Sequence, residues 1–161
     1  MLSIDIAPLS LGHHTFTLHP EAEALDLEPE AFRAIEVHLE LDRMEDRVWV
    51  TIDVRATATL ECDRTLEPFD KEVDGTYQVY FAPPQFFGSA ERAEEDDAMR
   101  LLPAGETELD LMQEVRDTLV LALPTRRISP QAEAMDVPTR FGADEEAIDP
   151  RWEALRQLRS E

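Results

Sequence analysis

The sequence predicts an α+β fold: an antiparallel β-meander sheet of about five strands, one main packed helix and a short C-terminal helix. The strongest observation is an alternation of apolar and polar residues that runs without interruption from Val48 to Glu61, as in a strand with one buried face. A second observation is a set of apolar residues at helical spacing between Leu111 and Leu123. Together these patterns indicate a sheet covered on one face by a helix.

The same two-residue alternation predicts the other strands. In chain order, strands are predicted at residues 2–6, 14–18, 35–41, 48–60, 73–81 and 99–102. Consecutive strands with short connections pair antiparallel, so the three strands between residues 35 and 81 are expected to form a meander. Residues 21–33 are acidic and contain Pro29, which favours a connection with a short helical turn. The acidic residues 85–100 are expected to form a loop.

The main helix is predicted to begin at Asp110, whose carboxylate can accept hydrogen bonds from the exposed amides of the first turn. Pro124 ends it. A second helix start is predicted at Asp149-Pro150, with proline at the first helical position. The chain is therefore expected to consist of a single α+β domain at residues 1–124, an extended or flexible linker at 125–148 and a short C-terminal helix at 149–161.

The net charge of the chain limits the kinds of molecule that it is expected to bind. It has 15 lysine and arginine residues against 36 aspartate and glutamate residues, a formal net charge of −21. Nucleic-acid binding depends on basic side chains that neutralise phosphates, so direct binding to RNA, DNA or an anionic membrane is not expected. A basic protein partner is favoured, because complementary charge speeds association and selects partners. Acidity that provides only solubility or halotolerance is the alternative, and both can hold together.

Composition also bears on the compartment. No apolar run approaches the roughly 20 residues that a membrane-spanning helix needs. The first residues have neither the basic region nor the long apolar region of a signal peptide. A single cysteine excludes an internal disulfide. A cytoplasmic protein is therefore expected.

No motif for catalysis stands out. His13, His14 and His19 could be proposed as metal ligands together with Cys62 or a carboxylate, but no Cys/His cluster has ligand spacing. There is no Gly-x-Ser-x-Gly elbow and no glycine-rich phosphate loop. We therefore expect no enzyme activity, no metal and no cofactor. The alternative is a small-ligand-binding or hydrolytic domain in which some of the abundant carboxylates form an unrecognised site.

Two segments are candidates for binding a partner. The first is the acidic run Glu94, Glu95, Asp96 and Asp97. It could dock a basic segment, although such a run is also typical of a solvated loop. The second is the apolar side of the C-terminal helix, with Trp152, Leu155 and Leu158. Tryptophan is a frequent interface anchor, but this helix could equally fold back onto its own domain.

The turn Cys62-Asp63-Arg64-Thr65-Leu66-Glu67-Pro68 is the most specific local motif. A Cys-x-x-Cys turn between two strands is the usual form of half a zinc site, and here its second position is Thr65. A single thiolate cannot hold a structural zinc ion, which needs about four ligands. A structural cysteine without metal is therefore expected.

Three segments carry a family resemblance. The first is this turn, with Cys62, Arg64, Leu66 and Pro68. The second runs from Leu109-Asp110-Leu111 to Leu121-Ala122-Leu123-Pro124, and the third is Asp149-Pro150-Arg151-Trp152 with the leucines that follow. In order and spacing these segments resemble the YceD family, the large ribosomal RNA subunit accumulation proteins.

The resemblance implies a non-enzymatic role in the accumulation or maturation of large-subunit ribosomal RNA. Many members of the family carry additional cysteines that suggest a zinc site. This chain lacks them, because Thr65 replaces the second cysteine of the turn and residues 125–147 contain none. Zinc is therefore not implied here. Combined with the charge, the resemblance implies contacts with a basic ribosomal protein or a ribosome-assembly factor.

Overall fold

Strands dominate the secondary structure. A computed structural model of the chain describes residues 2–87 and 98–135. Its strands are β1 (Ser3–Asp5), β2 (Gly12–Leu18), β3 (Phe32–Arg43), β4 (Val48–Glu61), β5 (Pro68–Ala82), β6 (Met99–Leu101) and β7 (Glu108–Asp110). Its helices are a 3-10 helix (Ala22–Leu25), α1 (Pro84–Phe87), α2 (Met112–Leu121) and α3 (Pro130–Glu133).

The main sheet has five strands in the order β2-β3-β4-β5-β6. β2 to β5 pair antiparallel along their lengths, which confirms the predicted meander. A turn in which the Met44 N–H donates to the Arg47 carbonyl (2.9 Å) joins β3 to β4. This turn sets Arg43 opposite Val48, and the register follows from it as far as Glu36 opposite Arg55. One irregularity interrupts β3 between Arg33 and Glu36, where Ala34 has a φ of 50°.

The last strand of this sheet runs parallel to its neighbour, so the prediction of a purely antiparallel sheet is wrong. β6 pairs in parallel with the end of β5, from Tyr80 to Ala82. The Tyr80 N–H donates to the Ala98 carbonyl, and the Leu102 N–H donates to the Ala82 carbonyl, both at 2.8 Å. An apolar alternation indicates which side of a strand is buried and carries no information on its direction.

β1 and β7 form a separate two-stranded antiparallel sheet, with Ile4 opposite Leu109. The sequence predicted β1 and did not predict β7, because Glu108–Asp110 is too short for an alternation. This pairing displaces the expected helix start. Asp110 ends β7, Leu111 occupies the cap position, and α2 begins at Met112. The carboxylate of Asp110 still accepts a hydrogen bond from the Met112 N–H at 3.0 Å.

The core lies on one side of the main sheet. In β4, Val50, Ile52 and Val54 are buried, whereas the alternating side chains point away from the core. Helix α2 contacts β4 and β5 on the buried side. Its fully buried residues Val115 and Leu119, with Leu111 before it, join the same apolar cluster. On the opposite side, within the described residues, the short helix α1 reaches one end of the sheet, where Phe86 contacts Tyr80, and a small apolar cluster surrounds Ala82.

Two of the short helices lie in connections between strands. The 3-10 helix lies within the connection predicted at residues 21–33, and α1 occupies the start of the region that was expected to be a loop.

Backbone contacts divide the chain into two compact units, residues 1–129 and 130–161. Helix α3 is the secondary structure described in the second unit. The predicted boundaries at residues 124 and 148 stay a prediction.

Gly75 lies at a close approach of α2 to the sheet. A Cβ atom at this position of β5 would lie 2.8 Å from Thr118 Cγ2 and 3.4 Å from the Thr118 carbonyl oxygen. A side chain there cannot be accommodated unless the helix or the strand moves. The narrow space between β5 and α2 therefore accounts for a glycine at this position.

Replacing Gly75 with alanine is expected to destabilise the domain by about 1–3 kcal/mol, because overpacking a filled core costs about that much. Urea denaturation followed by circular dichroism measures the change. The double variant Gly75→Ala/Thr118→Ser removes the obstructing methyl group and keeps a hydroxyl that can donate to the Glu114 carbonyl. It should recover most of the loss. Wild-type stability of the single variant would contradict the close approach.

Candidate functional site

The side of the main sheet that faces away from α2 is the candidate functional site. This open face consists of the odd-numbered residues 13–17 of β2, the even-numbered residues 36–42 of β3, the odd-numbered residues 49–59 of β4 and the even-numbered residues 70–80 of β5. Arg33 is added before the irregularity in β3. Strand pairing arranges these side chains in rows across the sheet. Side chains that face each other within a row have Cβ atoms about 4.5–5.5 Å apart.

Acidic side chains are present in every row of the open face. They are Glu36, Glu40, Asp42, Asp53, Asp70, Glu72 and Asp74. Against these seven carboxylates the open face has two guanidinium groups, those of Arg33 and Arg55. The surface is therefore strongly negative at neutral pH.

The two arginines lie in the half of the open face nearer the Cys62 turn. Arg55 lies between Glu36 and Asp74 in its row, and Arg33 Nη2 is 2.6 Å from Asp70 Oδ1. A hydrogen bond from Thr59 and then the Arg33 guanidinium hold the pKa of Asp70 below its usual value. The stability that this ionised carboxylate contributes is present at neutral pH. It is lost as the pH falls through the lowered pKa of the folded state.

The other half of the open face pairs its carboxylates with histidine and threonine side chains. His13 Nδ1 lies 3.3 Å from Asp42 Oδ1, and His38 Nε2 lies 3.8 Å from Glu40 Oε1. Asp53 accepts a hydrogen bond from the Thr76 hydroxyl at 2.5 Å. Among the described residues no lysine or arginine lies within this half, and the nearest, Arg47, lies just beyond its end over the Phe86 ring. Within the open face, the carboxylates of this half are therefore the less compensated.

An aromatic cluster of Trp49, Tyr80 and Phe86 borders this less compensated half. The ring centroids of Trp49 and Tyr80 are 5.6 Å apart, and those of Tyr80 and Phe86 are 5.5 Å apart. Trp49 is 39% exposed and Phe86 47% exposed. The Arg47 guanidinium lies 4.9 Å from the centre of the Phe86 ring. Large aromatic surface is thus accessible beside the carboxylate of Asp42, which faces Trp49 across the strands.

Sequence reasoning did not select this cluster, although one signal was present. The alternation in β4 assigns Trp49 to the polar set, together with threonine, aspartate and arginine. An aromatic residue among outward positions is a sign of a binding surface. Its neighbours Asp42 and Tyr80 depend on strand register, which the alternation alone does not give.

The turn that carries the family motif is held by backbone hydrogen bonds. The Cys62 N–H donates to the Glu67 carbonyl at 2.9 Å, and the Leu66 N–H donates to the Cys62 carbonyl at 2.8 Å. Asp63 and Arg127 are joined twice, since the Asp63 N–H donates to the Arg127 carbonyl and the Arg127 N–H donates to the Asp63 carboxylate. The turn is therefore tied to the chain that follows α2.

Cys62 is buried, and its thiol lies where the turn meets the chain that follows α2. There the Ser129 N–H donates a hydrogen bond to Sγ at 3.4 Å. This backbone hydrogen bond is the main cause that lowers the pKa of Cys62 to about 6. Burial acts in the opposite direction, and hydrogen bonds from Thr65 and Arg64 add to the lowering. The thiol thus takes part in joining two segments of the fold. The other motif residues Arg64, Leu66 and Pro68 are exposed.

Leu66 has a φ of 59° and is 69% exposed. Its backbone conformation is therefore set by the turn, and its side chain contributes little packing. Replacement by valine is expected to cost about 1–2 kcal/mol, because a β-branched residue is strained at positive φ. Replacement by asparagine, which tolerates this conformation, should change stability by less than about 0.5 kcal/mol. Thermal unfolding of both variants measures the difference. Equal effects would contradict the strained turn.

The predicted partner-binding residues fall elsewhere in the chain. Glu94, Glu95, Asp96, Asp97, Trp152, Leu155 and Leu158 lie outside the described residues. Their assignment stays a prediction.

Within residues 2–87 and 98–135, no three histidine, cysteine, aspartate or glutamate residues are grouped as metal ligands would be. A cavity of about 390 Å³ on the open face is lined in part by the exposed Glu36 and Asp74. Glu114 is the buried carboxylate of the described residues, and it is ion-paired with Arg100 at 2.7 Å. No helix in the described part of the chain is both long and apolar enough to span a membrane.

Comparison with known proteins identifies the family. The model of the large ribosomal RNA subunit accumulation protein YceD matches residues 50–159, which include most of β4 and all of β5, the Cys62 turn and α2. Comparisons with curated proteins and with solved structures gave no match. The matched segment covers more than half of the chain. The chain belongs to the YceD family.

Proposed function

We propose that this protein is a non-enzymatic accessory factor of ribosome biogenesis. It acts in the cytoplasm and supports the accumulation or maturation of large-subunit ribosomal RNA by binding a basic ribosomal protein or a ribosome-assembly factor. The observation that carries the proposal is the family match, whose name indicates involvement in accumulation of large-subunit ribosomal RNA.

The charge distribution supports a protein as the direct partner. The chain has a net charge of −21, and the open face has seven carboxylates against two guanidinium groups. Such a field repels a polyanion and attracts a basic polypeptide. A protein of this kind can promote RNA accumulation by delivering or protecting a basic protein that binds the RNA.

Affinity purification of the tagged protein from its source cell, followed by mass spectrometry, tests the proposal. A basic ribosomal protein or a ribosome-assembly factor is the expected co-purifying species. Recovery of metabolic enzymes alone would contradict it. In cells that lack the protein, the ratio of large-subunit to small-subunit ribosomal RNA is expected to fall.

A second measurement separates protein binding from RNA binding. The purified chain is mixed with naked large-subunit ribosomal RNA at increasing salt. We expect no high-affinity complex at physiological salt, because the chain has few cations to release counterions from phosphates. A tight, salt-resistant complex would overturn the proposed mode of action.

A further inference from the structure

The aromatic end of the open face combines two features that recognise the same chemical group. We define the aromatic end as Trp49, Tyr80 and Phe86 together with Asp42 and Glu40. In one row Asp42 faces Trp49, which faces Tyr80, and Glu40 lies in the next row. Successive rows are about 6.6–6.8 Å apart along the strands. Both carboxylates are therefore within reach of a cation placed over the Trp49 ring.

Aromatic rings attract cations through their negatively charged faces, and arginine is the most frequent partner. The protein contains one such contact itself, since Arg47 lies 4.9 Å from the centre of the Phe86 ring. The exposed Trp49 offers a larger ring of the same kind. Tryptophan, tyrosine and arginine are also the residues that contribute most to protein interfaces.

The negative charge of the open face is neutralised to different extents in its two halves. Arg33 and Arg55 partly neutralise the half near the Cys62 turn, whereas Asp42 and Glu40 are paired with histidines. A second copy of this chain would bring like charges together. Single-stranded RNA would stack on aromatic rings but would place phosphates against the carboxylates. A basic polypeptide meets both the charge and the aromatic surface.

We propose that the aromatic end binds an arginine- and lysine-rich segment of a protein partner, with a guanidinium group over Trp49 and paired to Asp42 or Glu40. Basic residues at alternate positions of an extended segment repeat at the same spacing as the rows, so further cations can meet the carboxylates beyond Glu40. This inference rests on the proposed function and assigns it a surface.

Fluorescence anisotropy with the full-length chain and a labelled twelve-residue peptide of alternating arginine and glycine tests the proposal. At physiological salt, Trp49→Ala is expected to weaken binding about tenfold or more. Asp42→Asn/Glu40→Gln should weaken it to a similar extent. The matched control is Glu72→Gln/Asp74→Asn, which removes the same charge from the half that contains Arg55 and should weaken binding less than about threefold.

Tryptophan fluorescence reports where on the protein the peptide binds. In a Trp152→Phe background, Trp49 is the remaining tryptophan, so a change of its fluorescence on peptide addition reports binding at the aromatic end. Equal weakening by the two double variants would show diffuse attraction to the acidic surface and overturn the proposal. Trp49-dependent binding of single-stranded RNA, or Trp49-dependent dimerisation without peptide binding, would also overturn it. Thermal unfolding of each variant checks that the sheet is intact.

Failure of this inference and failure of the proposed function give different results. The affinity purification is repeated with the Trp49→Ala/Asp42→Asn/Glu40→Gln variant. Loss of the ribosomal or assembly protein supports the surface. If the wild-type chain and the variant recover that protein equally, the surface is wrong and the function stands. If the wild-type chain recovers no such protein, the proposed function fails, whatever the peptide result.

Discussion

Replacement of Arg100 by methionine is expected to destabilise the domain by about 3–5 kcal/mol, because it leaves the Glu114 carboxylate buried without its partner. Arg100 Nε donates to Glu114 Oε1 at 2.7 Å, and the Glu114 side chain is 4% exposed. The Arg100 side chain is 34% exposed and keeps contact with water. Denaturant unfolding monitored by circular dichroism measures the loss.

The two partners are expected to respond unequally. Glu114→Met removes the buried charge and leaves a partly exposed guanidinium that water can solvate, so it should cost distinctly less than Arg100→Met. The double variant Arg100→Met/Glu114→Met removes both charges and should recover much of the loss. If Arg100→Met proves as stable as the wild type, Glu114 does not depend on this ion pair.

Replacement of Leu119 by alanine is expected to cost about 2–5 kcal/mol, as large-to-small changes in a packed core do. Leu119 is fully buried in the apolar cluster where α2 covers the sheet, so truncation of its side chain leaves a cavity in the core. Equilibrium urea unfolding measures the change in free energy.

Leu121 is the matched control for this prediction. It lies in the same helix and is 83% exposed, so Leu121→Ala should change stability by no more than about 0.5 kcal/mol. A similar loss in both variants would contradict burial against the sheet as the cause, because alanine does not lower helix propensity relative to leucine.

The elements found by alternation were those with one side in the core. β4 was predicted almost to its ends, because fourteen residues of strict alternation leave one consistent choice of buried face. The direction of β6 and the existence of β7 could not be obtained in the same way. Each has three residues, and each is formed by pairing with a distant strand.

The candidate site was only partly accessible from the sequence. The excess of acidic residues and the outward position of Trp49 were visible, but their combination requires register. Asp42 faces Trp49 because the turn from Met44 to Arg47 pairs Arg43 with Val48, and Tyr80 faces Trp49 because β5 begins at Pro68 opposite Glu61. A shift of register by two residues keeps every buried face and separates this group.

The pairing of β1 with β7 has a consequence for how the chain is completed during synthesis. Ser3 and Glu108 are 105 residues apart and are joined by a hydrogen bond between Oγ and Oε1. At translation rates of about 5–20 residues per second, the first strand waits roughly 5–20 s for its partner to be made. Nascent chains arrested before residue 108 emerges are expected to have a protease-sensitive N-terminal segment, and longer ones a protected segment. Protection in the shorter chains would show that β1 is held without β7.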